Sequence, residues 1–588
     1  MRYKKKQLKE ISHLQLLSVV DGYYYFTAWL LLLLLSLVFR LHEATGSESI
    51  SSLLLISVFF STIYLLLYVL LIFQGVWRLS LIWIGIPYFL FAFGWLRWYL
   101  AIPCVLVWMI ALFRTALIEK PVIIKPNLSH LIAILLITSW VYLSGAGGHG
   151  NQSPDHAMHN GRLLDLIRYA WPVHYSDGLL IRDPAYGPLY SYFVGYAAYY
   201  LPAALWGKFS SYFSALEFLH VWTLFGFWLA VAWLWEFLEQ KMVLVAAIVL
   251  LLFGGVDFAG VLLTLSRDHA NTSFDTVINA LSQFSISLPN DTGSLDFWPV
   301  SQFGFFFGNY ISNAGQIYWS PHQTVAAWVV GGLLFKAFLK NRAGCFCFIF
   351  ALLVYWSPMN MAAAALFPLV MVFKDGVKGF IDAVTFENII AGGSLLFVFL
   401  AYYFSGSAGV NPFSWLWESL DIYQVWWMLL FFHFFSWGIY ATLIFSGLSI
   451  ECRQVRIFFA VLCTSLFLLS LISYGVYNDL LCRGSAILMF FLMILLLRRF
   501  RILWYSKKIL SSFVLVFFVS IGSWSSVEHL LRSFAYFDQK MLPQSVVNSI
   551  HGWEFLGPTD SFFVRNFSRD LPTEVLVGNT DGLPLIGK

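Results

Sequence analysis

The chain has 588 residues, 60% of them apolar and 11% charged, and a formal net charge of +4. A soluble domain carries roughly 45–50% apolar and about 25% charged residues, and a globule this apolar could not cover its surface with polar groups in water. The composition excludes a soluble enzyme, a secreted disulfide scaffold and a disordered chain, and so small a net charge gives no footprint for nucleic acid; what remains is an all-α, polytopic helical membrane protein.

The basic segment Met1–Glu10 leads into an apolar run at 23–39 with no small-residue cleavage site behind it, so this run reads as a first membrane helix and not as a removed signal. Runs follow at 51–73, 79–96, 99–118 and 128–144, and then at 187–205, 217–237, 242–263, 324–339, 344–356, 359–373, 388–404, 425–446, 457–474, 485–497 and 509–524. With about 20 apolar residues needed per crossing, and the shorter runs read as half-helices, the expectation is roughly fifteen spans. The chain divides by composition into an N-terminal four-helix membrane segment (1–127), a long membrane module (128–524) and a short extracytoplasmic C-terminal tail (525–588).

Orientation follows from the basic clusters at the N-terminus, Lys120/Lys125, Lys340/Arg342, Lys374/Lys378, Arg453/Arg456, Arg498/Arg499/Arg501 and Lys507/Lys508. Placing them in the cytoplasm puts Ser144–Asp183, Thr264–Gln323, Ser405–Gln424, Ser473–Ser485 and the tail after Ser525 outside. Two apolar runs lie between Gly145 and Lys241, where parity leaves room for one crossing, so the Tyr-rich run 187–205 is expected in the interface or as a re-entrant segment. The six cysteines have no zinc-site or disulfide spacing and read as small apolar fillers.

Chemistry gathers in the outer loops. After the Gly-rich exit at Gly145, the stretch from Asp155 to Trp171-Pro172 has a helical stripe (Leu163, Leu166, Ile167) and reads as a short amphipathic helix on the membrane surface. Asp155 begins it, as a helix N-cap, as a carboxylate that accepts a proton from an attacking hydroxyl, or as both. His149, His156 and His159 could suggest a metal, but His156 and His159, three apart, are followed by no nearby third ligand, so no cofactor is expected, with a divalent metal as the minor alternative. His156, His159 and Asn160 then read as solvated or as contacts to a substrate. Asp257, between glycines in an apolar run, is either an intramembrane functional carboxylate or a solvated helix end. Asp165 is the other acidic candidate. His322 and Gln323 stand at the mouth of a helix, as substrate contacts or as interfacial anchors with Trp319. Arg267 opens the long outer loop. Arg483 lies outside against the charge bias, which calls for either an ion pair with Asp479 four residues earlier or an anionic headgroup.

The layout resembles the GT-C superfamily of membrane glycosyltransferases, in which a large first outer loop carries a catalytic Asp beside surface-lying helices. Asp155, ahead of Asn160-Gly-Arg-Leu-Leu-Asp165, occupies that place, and Tyr186-Gly-Pro188-Leu189-Tyr190-Ser-Tyr192 is similar to the Pro-Pro-Leu-Tyr-Tyr-Trp stretch of aminoarabinose and mannosyl transferases. The motifs Asp155–Asn160 (Asp-x-x-x-His-Asn), Ser320–Gln323 (Ser-Pro-His-Gln) and Asn478–Arg483 (Asn-Asp-x-x-x-Arg) also resemble those of a group of uncharacterised bacterial membrane proteins. The resemblance implies a GT-C-like catalytic bundle over 128–524 in a bacterial inner membrane. It implies inverting transfer of a sugar from a polyprenyl-phosphate donor to a lipid-linked glycan, cell-envelope polymer or protein on the outer face. Asp155 would be the general base, Asp257 or Asp165 a second acid, and Arg483 and Arg267 the phosphate ligands. Competing readings are a transporter or flippase for a lipid-linked or polar substrate, and a polysaccharide polymerase or ligase of another class.

Overall fold

The computed structural model describes residues 75–120, 128–175, 192–238, 242–256, 309–406, 413–419, 429–475, 478–537, 539–546 and 555–571. The chain forms two compact units, one of 1–75 with 121–124 and one of 76–120 with 125–588; apart from Gly75, every described residue belongs to the second. The expected spans at 23–39 and 51–73 lie outside the described residues.

The protein is an all-α membrane protein. Among the described residues six helices are long and apolar enough to cross a bilayer: Gly75–Trp95, Trp98–Leu117, Tyr212–Phe237, Pro321–Leu339, Phe386–Tyr403 and Asp479–Tyr505. A seventh crossing is present if Ile509–Gly522 and Trp524–Ala535, bent by 41° at their junction, count as one. Leu128–Leu143, Val243–Leu252 and Leu429–Phe445 are shorter apolar helices.

Pro321–Leu339 and Asp479–Tyr505 are apolar on all faces and almost wholly buried, which makes them the core of the bundle. They meet closely at Gly331, where an added Cβ would stand 3.1 Å from Phe490, and the next residue, Gly332, receives the ring of Trp233. Trp98–Leu117 is instead a boundary helix: Trp98, Ile102, Leu106, Met109 and Phe113 all point outward, a surface that hydrocarbon accepts and water does not.

Two expected runs fold differently. The segment 344–373 is not two spans but the short helices Ala343–Ala351, Pro358–Ala363 and Leu366–Phe373. Ser357 and Pro358 cause the break: the Ser357 hydroxyl accepts from the Asn360 N–H, and Pro358 starts a new helix at a position that needs no N–H donor. The described part of 187–205 is a two-residue strand, Tyr192–Phe193, and the nine-residue helix Leu201–Phe209. At about 1.5 Å per residue such a helix covers less than half a bilayer core, so of the two apolar runs only Tyr212–Phe237 is long enough to cross.

The segment after Ser525 is built into the fold. Trp524–Ala535 is an amphipathic helix; residues 539–546 lie along helix Asp155–Arg168; and Leu556–Gly557 pairs antiparallel with Tyr192–Phe193. Beyond it, Arg97 N–H donates to the Phe567 carbonyl (2.9 Å) and Arg569 N–H to that of Trp95 (2.8 Å), joining the tail to the end of Gly75–Trp95.

Candidate functional site

The expected surface helix forms at Asp155–Arg168, but it is buried on most of its faces, with His156, His159 and Asn160 enclosed and not solvated. Its approach is a reversal through glycines in the left-handed region. Gly145 (φ 85°) requires one, because a Cβ there would fall 2.6 Å from the Asn151 carbonyl oxygen. Pro154 occupies the N-cap position and no side chain caps the helix. Asp155 is therefore the first helical residue and not the cap; its charge still suits the positive end of the helix dipole.

Asp155 meets Arg483. The long core helix Asp479–Tyr505 starts at Asn478, which holds a left-handed conformation (φ 49°) and whose side chain accepts from the Leu481 N–H. One turn in, Arg483 Nε lies 3.0 Å from Asp479 Oδ1, and Nη2 lies 3.6 Å from Asp155 Oδ2. The i,i+4 pair that the sequence offered as one explanation of Arg483 is thus formed. The contact to Asp155 is too long for a hydrogen bond and acts as a through-space ion pair. Asn360 fixes this turn from the side, donating to the Arg483 carbonyl (2.9 Å) and accepting from the Ile487 N–H (2.9 Å). Asn360 Nδ2 also donates to Ser357 Oγ, which in turn donates to Gln323 Oε1 (3.0 Å), and Gln323 Nε2 lies 3.3 Å from His322 Nε2.

Next to this pair stands a group of buried rings. His159 Nδ1 is 2.6 Å from the Tyr200 hydroxyl and Nε2 is 3.1 Å from the Trp319 carbonyl oxygen. Since a carbonyl only accepts, His159 carries its proton on Nε2 and accepts from Tyr200 at Nδ1. The rings of His159 and His322 are 4.6 Å apart, and Tyr196 stacks on His322 at 5.4 Å. Burial pushes His156 down to about 4; the same cause, with the charges of nearby groups including Arg162 and Arg483, holds His159 well below its ordinary value. Both are neutral near pH 7.

Arg162 is 3% exposed and lies between the ring faces of Tyr196 (5.3 Å) and Phe555 (3.8 Å). No described carboxylate pairs with it. Cation–π contacts are worth about 0.5–2 kcal/mol each, whereas a buried ion costs several kcal/mol. The two rings and a hydrogen bond with the neutral Tyr200 hydroxyl therefore leave this charge without an anionic partner among the described residues.

The other face of the surface helix holds the tail. Asp165 Oδ2 accepts from Tyr175 OH (2.8 Å), Ser545 Oγ (3.0 Å) and Val546 N–H (2.9 Å). Burial pushes its carboxyl up to about 6 in spite of these donors. Asn160 donates to the Met541 carbonyl (3.0 Å), and Gly161 is packed so tightly that a Cβ would overlap the Gln544 carbonyl oxygen. At the start of the helix, Gln152, Ser153, Tyr318, Trp319, Arg532 and Gln539 line a cleft.

The fold brings Asp155, His156, His159, His322, Gln323 and Arg483 to one end of the bundle. Asp165 and Asn160 engage the tail instead, and His149 pairs with Glu217 (3.0 Å). Asp257 and Arg267 lie outside the described residues. Sequence reasoning passed over Arg162, Tyr196, Tyr200, Asn360 and Phe555. For Arg162 a signal existed, since the predicted apolar stripe left it on another face of a helix lying on a membrane. Among the described residues no group of three or more His, Cys, Asp or Glu side chains is arranged to hold a metal ion. No protein-family model, curated protein or solved structure matches the chain.

Proposed function

We propose that the protein transfers a sugar from a polyprenyl-phosphate carrier to a hydroxyl acceptor at the Asp155 end of the bundle, by a single displacement that inverts the anomeric carbon. The acceptor is a lipid-linked glycan or a cell-envelope polymer, and the working face is the outer face of a bacterial inner membrane. The observation that carries this reading is the meeting of Asp155 with Arg483, a carboxylate and a guanidinium from distant parts of the chain, beside buried neutral histidines.

In this reading Asp155 takes the proton of the acceptor hydroxyl as its oxygen bonds to the anomeric carbon. The bond from that carbon to the phosphate oxygen breaks, and polyprenyl phosphate leaves with the electron pair. Arg483 already faces two carboxylates, and its charge attracts Asp155 and orients it. The charge developing on the leaving phosphate needs a cation in the same enclosed site, where such stabilisation is strongest.

The test is turnover in detergent micelles, where transport has no meaning. Purified protein given a polyprenyl-phosphoryl sugar and a hydroxyl acceptor is expected to release polyprenyl phosphate and form a product of inverted configuration. Retention of configuration would overturn the single displacement. Absence of any release with every sugar donor tried would overturn the reading in favour of a transporter.

A further inference from the structure

We propose that the buried guanidinium of Arg162 is an anion-binding site and that its ligand is a phosphate ester. Arg162 is 3% exposed, pairs with no described carboxylate, and has an Nε with no hydrogen-bond partner. Tyr196 and Phe555 cover its two faces. Part of its edge is hydrogen-bonded to the Tyr200 hydroxyl, and the Nε–H is left without an acceptor; a guanidinium edge of this kind matches the oxygens of a phosphate.

A second observation points to the same place. His322 is 1% exposed and its Nδ1 has no partner, although buried polar atoms are nearly always satisfied. Its ring stacks on Tyr196, the same ring that covers Arg162, and lies 4.6 Å from that of His159. The Tyr200 hydroxyl, which donates to His159, is hydrogen-bonded by Arg162 and ties the two groups together. One small region therefore contains an incompletely balanced cation and an unpartnered ring nitrogen. An oxyanion with several acceptor oxygens would satisfy both. Tyr196 is only half-buried while Phe555 is covered, so the ligand enters past Tyr196.

Arg483 is the other cation close enough to act on His159. Its charge is matched by Asp155 and Asp479, so an incoming anion gains less there than at Arg162. The division of labour is then definite: Arg162 holds the phosphate, and Arg483 holds the base. Taking the anion to be a phosphate ester rests on the sugar-phosphate reading above; the existence of an anion site at Arg162 does not.

The experiment uses the full-length protein in detergent and follows its melting with inorganic phosphate and, separately, with a polyprenyl phosphate. The lipid phosphate is expected to raise the melting temperature of the wild type. Arg162→Gln should lower the affinity on the order of 10-fold or more, the scale of a lost charge-assisted hydrogen bond, and Arg162→Lys should retain part of it. Without ligand, Arg162→Gln should melt close to the wild type, since the relief of a buried charge offsets the loss of its ring contacts and its Tyr200 hydrogen bond. Arg483→Ala should bind the lipid phosphate better than Arg162→Gln does. The proposal is overturned if Arg162→Gln binds as the wild type does, if it melts far below the wild type without ligand, or if the wild type binds neither probe. Binding of inorganic phosphate alone, lost in Arg162→Gln, would support the anion site and overturn the sugar-phosphate reading.

Discussion

The two ends of the bundle treat buried charge in opposite ways. At the end marked by Lys340, each buried charge has a partner of opposite sign. Lys336 pairs with Glu236 and with Glu119 (3.6 Å), Arg342 reaches Glu119 (3.2 Å), Arg498 meets Glu451 (2.9 Å), and Arg114 meets Glu387 (2.7 Å). These pairs tie together helix ends that are distant in sequence. At the Asp155 end Arg532 is paired with the buried Glu528 (2.7 Å), but Arg483 faces two carboxylates, Arg162 faces none, and His156 Nε2 and His322 Nδ1 have no partner. A closed network holds a fold; an open one keeps groups available for a ligand, at a cost in stability.

The contrast can be broken at either end. The largest expected effect is on stability at the paired end. Lys336→Met leaves the largely covered Glu236 without its cation and Glu119 with Arg342 alone, which should cost up to about 3–5 kcal/mol. Unfolding in detergent should show this loss, and turnover per folded molecule should stay at the wild-type level. A change in turnover would mean that the two ends are coupled.

At the open end the expected effect falls on activity. Asp155→Asn should lower transfer by at least about 100-fold, the usual scale of general base catalysis. Because Asp155 is not the helix cap, the substitution forfeits its interaction with the helix dipole, about 0.3–1 kcal/mol, and the long, partly exposed ion pair to Arg483, up to about 1 kcal/mol. Expression and melting should therefore be near normal. Near-normal turnover by this variant would remove Asp155 from the chemistry.

A smaller effect concerns the clamp between the surface helix and the tail. Asp165 has a carboxyl raised to about 6 by burial in the folded protein, against about 3.9 in an unfolded chain. The folded state thus holds a proton that the unfolded state releases between these values. Stability from this group is fully present below about pH 4 and is lost as the pH rises to about 6, by on the order of 2–3 kcal/mol. Asp165→Asn should flatten the dependence of melting temperature on pH across that window. An unchanged slope would show that the carboxyl is ionised in the folded state throughout, held by Tyr175 and the segment at Ser545.

Composition by itself determined the membrane class, because transfer of so apolar a chain into water has no compact solution. Local pattern determined the surface helix, since a glycine run, a charged first residue and the Trp171-Pro172 stop act within a few residues of where they stand. It also determined the Asp479–Arg483 pair, which needs only one turn of helix. Apolar runs were less informative: 344–373 is apolar almost throughout, yet Ser357 and Pro358 divide it into short helices. Only the tertiary structure decided that Asp155 reaches Arg483, that the polar segment after Ser525 clamps the surface helix, and that Arg162 is left between two rings. These contacts join residues far apart in the chain, and side-chain periodicity has no register for such distances. The tail shows the reason most plainly, for much of its hold on the surface helix comes from backbone groups at Gln539, Met541, Gln544 and Val546, and a backbone N–H or carbonyl is the same in every sequence until the fold supplies its partner.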